Sequence, residues 1–506
     1  MKYIIGVDIG TSGTKAVAFS LTGKVIVSAH ISYSPLITKT GFHELDPATL
    51  LQAVTNTLKE ILEKTKSTEG LSGISFSCAM HSLIAVDKND LPITNAITWA
   101  DTRSKNIAAR IKNTSVGNKI YEHTGTPIHS MSPLCKIIWL KENEPQIFSK
   151  TKKFIGIKEY IWFQFFNKYE IDYSIASATG LFDIYNFNWF DQSLALANIN
   201  ANYLSEPKQA TYFETSINKK IQSQLNLPNN IPFIIGASDG CLANLGSNAV
   251  SEGDASLTIG TSAALRMISA KPKHDVKQRI FNYILTENRY VSGGAVNNGA
   301  VVLQWFVENF INKSSNCNRN FSEIIDEAKT IPAGSEGLLF LPYLLGERAP
   351  IWNEDARGVF FGINTKHTQQ HFTRAVVEGI SFSLLQVGTS LEETIGAINN
   401  IYVSGGFIQS EFWLQMIADM FNKKVYITNS ADASAIGAAF IGFLATGLIK
   451  NLEEEKKIIF INKTFEPNIN EHKIYQKYYS IFISLYDKLK DEFTTLNNLQ
   501  LQTNIV

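Results

Sequence analysis

Apolar positions in the first eighty residues change period twice. Residues 3–7, 15–20 and 25–32 carry the short apolar or alternating runs of strands, and Thr22-Gly23 supplies the turn before the third. Beyond Asp46-Pro47, an N-cap followed by proline at the first helical position, Leu50, Val54, Leu58 and Leu62 fall at helical spacing. A further strand at 71–78 leads into Ala79-Met80-His81-Ser82. Three strands, a helix and a fourth strand predict a layered α/β domain.

The theme returns later in the chain. A strand at 232–236 runs into a turn, Ala237-Ser238-Asp239-Gly240, and a small-residue helix. Strands are expected around 290–292 and 401–404, and amphipathic helices near 368–396 and 411–421. The stretch 470–494 is helical in pattern, and the sequence leaves open whether it folds back onto the first domain. With 506 residues the chain exceeds one core, since domains run to ~100–200 residues. The reading is two large domains, 1–250 and 251–460, followed by a helical tail at 461–506.

One device occurs in both halves. Asp8-Ile9-Gly10-Thr11-Ser12-Gly13-Thr14 joins two apolar strands at the N-terminus, and Thr258-Ile259-Gly260-Thr261-Ser262 does so near the middle. Either turn alone would pass for an ordinary β-hairpin. Glycines there also let backbone approach a ligand closely, and the hydroxyls and freed N–H groups offer donors to phosphate oxygens. Recurrence points to a duplicated fold closing on one nucleotide. Gly405-Gly406 after a strand, and Asn297-Asn298-Gly299 with Gly293-Gly294 ahead of a helix containing Gln304, are weaker signals of the same kind.

Two carboxylates fit such a site. Asp8 and Asp239 each follow an apolar strand close to a glycine, where a side chain emerges at the strand's carboxyl end. Phosphoryl transfer needs one carboxylate to hold Mg²⁺ near the phosphates and another to accept the proton of the attacking hydroxyl. An aspartate beside glycine is otherwise an ordinary turn residue.

Composition changes little. With 44% apolar and 18% charged residues and zero formal charge, nothing draws the protein to nucleic acid or an anionic membrane. The N-terminal apolar run is too short for a secretory signal and contains Asp8, so a cytoplasmic location is expected. Residues 435–449 are too few to span a bilayer, which takes ~20, and their alanines and glycines fit a tightly packed internal helix. Cys78, Cys135, Cys241 and Cys317 form no pair with metal or disulfide spacing and read as incidental thiols.

Two longer segments make the resemblance specific. Met131-Ser132-Pro133 through Lys136, Trp139, Leu140, Glu142 and Asn143 resembles the first signature of the FGGY carbohydrate kinases. Gly358-Val359-Phe360-Phe361-Gly362-Ile363, followed by His371-Phe372 and Ala375 to Glu378, resembles the second. The resemblance implies two actin-like, ribonuclease H-like domains with an ATP cleft between them. It implies Asp239 as catalytic base, with Asp8 and Asp239 positioning Mg²⁺. Thr11, Ser12 and Thr14 would meet the phosphates from one side and Gly260 and Thr261 from the other. Gly405 and Gly406 would lie against adenine and ribose, near Gly299 and Gln304. Ser410 stands where glycerol kinases commonly carry an asparagine that contacts the base.

Met80-His81 replaces the Arg-Glu pair that grips the triol in glycerol kinases, which points to a sugar or sugar acid. The segments from Ile97 through Trp99, Asp101 and Arg103, from His123 through His129 to Pro133, and from Ser292 to Gly299 resemble the gluconokinase branch more than the xylulokinase branch. Ser130 departs from the proline usual there. An aldonate needs a cation for its carboxylate, and Arg103, His81 and His129 are the candidates. Arg103 would equally form a structural pair with Asp101, the histidines would serve as buried hydrogen-bonding groups, and Trp99 as core. The reading is an ATP-dependent gluconate 6-kinase acting on a small-molecule sugar acid, with a homodimer left open. A ketose kinase of the same fold and a non-catalytic nucleotide-switched module are the rivals.

Overall fold

The computed structural model describes residues 1–65, 68–312, 321–429 and 432–503; Cys317 lies outside the described residues. Contacts divide the chain into two compact units. The first holds Met1–Val250, Ile268–Ser292 and Ser430–Phe460, and the second Ser251–Met267, Gly293–Asn429 and Ile461–Val506.

In the first unit, six strands follow the order Phe213–Glu214, Phe233–Ser238, Leu71–Cys78, Tyr3–Ile9, Gly13–Ser20, Val25–Ser32. Tyr3–Ile9 pairs antiparallel with its hairpin partner and parallel with Leu71–Cys78, which is itself parallel to Phe233–Ser238. Antiparallel neighbours need only a tight turn, whereas the parallel step needs a crossover. Helix Pro47–Thr65 supplies it, burying Leu50, Val54, Leu58, Ile61 and Leu62. Helix Ala433–Ala445 packs on the same sheet at backbone distance. A Cβ on Gly6 would stand 2.1 Å from the Ala435 carbonyl oxygen, and one on Gly437 2.1 Å from that of Leu242. That approach explains the alanine and glycine content of the segment. Among the described residues no helix is long and apolar enough to cross a membrane.

The strand expected to stop at 236 continues to Ser238, and Asp239 opens helix Asp239–Gly246 instead of sitting in a turn. Register against Leu71–Cys78 slips between Ile234 and Ala237, and Gly236 takes φ +68° there. A Cβ at that position would lie 1.8 Å from the Phe76 carbonyl oxygen. The glycine read as a strand end is therefore a bulge within a continuing strand.

The second unit repeats these steps. Its sheet includes, in this order, Arg289–Val296, Ala263–Ser269, Asp254–Ile259, Asn400–Ser404, Lys424–Thr428 and Ile461–Phe465. Asp254–Ile259 again pairs antiparallel with its hairpin partner and parallel with the strand that follows a long helix, Gln369–Thr394. Gly293 and Gly294 lie within strand Arg289–Val296 and not in a ligand-facing turn; a Cβ at Gly293 would meet the Leu265 carbonyl oxygen at 2.5 Å.

The C-terminal helix, Ile469–Thr503, belongs to this second unit. Phe382 meets the rings of Tyr475, Tyr479 and Phe482 at 6.1, 5.9 and 5.5 Å. Arg374 donates to the Tyr475 hydroxyl at 2.9 Å and to Glu378 at 2.8 Å, and Glu378 accepts from Gly334 N at 3.0 Å and the Ser335 hydroxyl at 2.9 Å. Glu378 of the second signature and the neighbouring Arg374 are thus buried pins of the scaffold.

Candidate active site

Strand register brings the two carboxylates of the first unit together. Asp8 aligns with Ser77, and Ser238 with Cys78, on the two sides of Leu71–Cys78. Parallel strands place Asp8 and Asp239 at one carboxyl edge, where open α/β sheets bind ligands. Asp239, half-buried, begins a helix capped by the Ser238 hydroxyl, so its charge sits at a positive helix end. Its Oδ1 accepts from Gly240 N at 2.7 Å.

The Asp8 carboxylate accepts from the Ser77 hydroxyl at 2.6 Å. Burial first, then the charges of Asp239 and Asp432, push its pKa up to about 6 against the opposing effects of Ser77 and Lys15. Asp432, at the start of helix Ala433–Ala445, pairs with Lys15 at 2.5 Å. Asp8 therefore feels two further carboxylates and one lysine. Among the described residues no three His, Cys, Asp or Glu side chains gather into a preformed metal cage. Mg²⁺ does not require one, because it keeps several waters and takes one or two carboxylates plus phosphate oxygens. Asp8 and Asp239 fit that donor set.

The first hairpin closes through Gly10 N to the Gly13 carbonyl at 3.0 Å. Tyr33 braces it, donating its hydroxyl to the Gly10 carbonyl at 2.7 Å and its N–H to that of Ser12 at 3.1 Å. Its oxygen lies 3.2 Å from the Thr14 hydroxyl, and Thr14 is fully buried. The groups at the tip are Thr11, half-buried, and Ser12, exposed.

The sugar-site candidates also lie in the first unit. His81 adopts φ +67° and is buried. Its Nδ1 lies 2.8 Å from the Ala178 carbonyl oxygen, which assigns the proton to Nδ1, and Nε2 faces the Tyr283 hydroxyl at 3.3 Å. Met80 packs on the neighbouring apolar cluster. His129 accepts from Met131 N at 3.2 Å. Arg103 donates to Asp101 at 2.9 and 2.7 Å, pairs with Glu44, and stacks on Phe42 at 3.9 Å. Two carboxylates neutralise that guanidinium. Trp99 is partly exposed.

Lys136, from the first signature, is fully buried and joins these loops. Its ammonium donates to the carbonyl oxygens of His81 at 2.5 Å, Thr98 at 2.7 Å and Ile97 at 3.3 Å. Lys136 lies inside the first signature, where the sequence assigns it no role. Tyr33, Ser77, Asp432, Glu44 and Tyr283 carried no local signal at all.

In the second unit, the hairpin Gly260-Thr261-Ser262 closes through Gly260 N to the Ser262 carbonyl at 2.9 Å. The first N–H groups of helix Ala300–Phe306 donate to it, Ala300 to Gly260 at 2.8 Å and Val301 to Thr261 at 3.3 Å. Gly299 permits that contact, since a Cβ would lie 2.6 Å from the Ser262 carbonyl carbon. Buried Glu347 fixes the approach, accepting from Asn297 N at 2.5 Å and Asn298 Nδ2 at 2.9 Å. Gly405 takes φ +100° with a Cβ position 2.4 Å from the Ile259 carbonyl oxygen, whereas Gly406 faces open space. Gln304 is exposed and bonds Glu308 at 2.8 Å. Ser410 caps helix Glu411–Phe421 through Trp413 N at 3.3 Å.

Comparison with known proteins agrees with this architecture. Residues 3–246 match the N-terminal domain of the FGGY family of carbohydrate kinases, and 255–446 its C-terminal domain. A gluconokinase of Bacillus subtilis is 42% identical, with 99% of this chain and 98% of that protein covered. A xylulose kinase of Staphylococcus epidermidis is 30% identical, with 97% of each covered. Among solved structures, a gluconate kinase from Lactobacillus acidophilus superposes with TM-score 0.93 at 34% identity, covering 98% of this chain and 99% of that one. A ligand-bound xylulose kinase from the same organism gives 0.94 at 34%, covering 98% and 100%. With both family domains matched in order over most of its length, the chain belongs to the FGGY family of carbohydrate kinases.

Proposed function

We propose that this protein transfers the γ-phosphate of ATP to the 6-hydroxyl of D-gluconate. The likeness over the full length to a gluconokinase carries the substrate. The carboxylate pair at one sheet edge supports the chemistry.

Asp239 accepts the proton of the attacking hydroxyl as its oxygen bonds to the γ-phosphorus. The bond from phosphorus to the bridging oxygen breaks, and ADP leaves with that electron pair. Helix Asp239–Gly246 presents the base at its positive end. Mg²⁺, when bound, supplies charge neutralisation at the phosphates, with Asp8 and Asp239 as its protein ligands. Backbone N–H groups and hydroxyls around Thr11 and Ser12 supply donors for phosphate oxygens. Gly406 offers uncovered backbone to the nucleoside. ATP as co-substrate makes the cytoplasm the natural compartment.

A ketose is the second reading, and the neutralised Arg103 favours it. A guanidinium already paired with Asp101 and Glu44 offers a substrate carboxylate little net charge. The test is MgATP-dependent ADP release with D-gluconate, D-xylulose, L-ribulose and glycerol. Preference for gluconate supports the proposal, and preference for a ketose replaces its substrate while leaving the mechanism. Asp239→Asn is expected to bind nucleotide normally and lose about 10²–10⁴-fold in kcat. Near-normal turnover would remove Asp239 from the role of base.

A further inference from the structure

A second buried lysine stands behind the catalytic strand. Lys158 lies in the first turn of helix Ile157–Phe166, and its side chain is 3% exposed. Its ammonium donates to the carbonyl oxygens of Ile235 at 3.0 Å and Ala237 at 2.9 Å. These flank Gly236, where the strand bulges. The same nitrogen pairs at 2.7 Å with Asp172, which is wholly buried.

Asp172 is anchored in turn. It caps helix Tyr173–Ser177 by accepting from Ile175 N at 3.0 Å. The next residue but one, Ser174, accepts from Ser238 N at 2.7 Å. Three backbone groups shortly before Asp239 are therefore tied to one buried assembly: the carbonyls of Ile235 and Ala237 through Lys158, and the amide of Ser238 through Ser174.

Ladder pairing cannot do this work where register slips. A bulge frees backbone groups and bends the strand, and without partners those carbonyls would be buried unsatisfied. The ammonium provides donors in three directions, and Asp172 compensates its charge. The Cys78 thiol, held far above its ordinary range first by burial, feels the charges of Lys158, Asp239, Asp8 and Asp172 together. The clamp and the reactive carboxylates share one neighbourhood.

We propose that Lys158, braced by Asp172, is a positioning residue that sets the exit angle of the bulged strand and so aims the Asp239 carboxylate. The inference rests on the reading of Asp239 as base. Misplacement of a reacting group by about 1 Å can cost roughly 10²-fold in rate.

The experiment is a double-mutant cycle on the full-length enzyme, with kcat and KM measured for ATP and the preferred sugar. Lys158→Met is expected to lower kcat about 10–100-fold, leave both KM values within about twofold, and add almost nothing in an Asp239→Asn background. A lysine that merely supports folding would multiply the loss equally in both backgrounds, and that result overturns the proposal. So does a kcat within about twofold of the native value. If Lys158→Met does not fold, Lys158→Arg, which keeps the charge but moves its donors, is read by the same criteria. Failure of the Asp239 reading is distinguished by the single variant Asp239→Asn, whose near-native turnover would sink that reading first.

Discussion

At the scale of single residues, buried charge marks this site better than exposed charge. Lys136 joins the His81 and Thr98 loops while burial, opposed by Asp101 and reinforced by Arg103, lowers its pKa to about 7. The unfolded chain keeps that lysine protonated up to about pH 10. Between about pH 7 and 10 the unfolded state therefore binds more protons, and the Lys136 contribution to stability rises with pH. The native chain should gain about 1–2 kcal/mol over Lys136→Met between pH 7 and 8.5, read from urea midpoints of the two proteins. A gap that does not change with pH would show that the ammonium stays charged in the native state. Asp8 and Asp239 were legible because each lies at the carboxyl end of an apolar strand, one or two residues ahead of a glycine. Ser77, Tyr33 and Asp432 were not, because their relation to Asp8 and to the hairpin arises only when distant segments meet.

At the scale of elements, the paired hairpins were readable from their apolar flanks and Gly-Thr-Ser tips, and helix Glu411–Phe421 from its period. The division of labour within those turns was not. Gly405 and Gly406 are equivalent in the sequence, yet one has a positive φ against the Ile259 carbonyl and the other faces open space. Gly405→Ala should lower stability by about 1–3 kcal/mol, whereas Gly406→Ala should melt like the native protein and raise KM for ATP. Thermal shift and steady-state kinetics on both variants check this, and equal melting temperatures for the two would contradict it. Ser410 shows the same gap: a residue expected near the base has its hydroxyl engaged in capping a helix. The bulge at Gly236 was misread as a strand end because its cause, the Phe76 carbonyl, lies 160 residues away in sequence.

At the scale of the whole molecule, the chain is interleaved. Residues 268–292 and 430–460 return to the first unit, the latter bringing Asp432 beside Lys15. The final helix is part of the second unit, where its Tyr475, Tyr479 and Phe482 cover Phe382 and its Tyr475 holds Arg374. Removing residues 469–506 strips that buried face, a loss of several kcal/mol when aromatic contacts of this kind are deleted. The truncated chain is expected to be insoluble or to melt more than about 10 °C below the full-length protein; a shift under about 3 °C would make the helix an accessory. Local order was set by the sequence: the strands, the crossover helices, the two hairpins and the carboxylates at strand ends, because apolar period and turn chemistry act over a few residues. Which strand bulges, which lysine is buried among carbonyls, and which carboxylates share a neighbourhood were decided by tertiary structure. Those properties depend on burial and on charges brought together across hundreds of residues, and no local pattern encodes them.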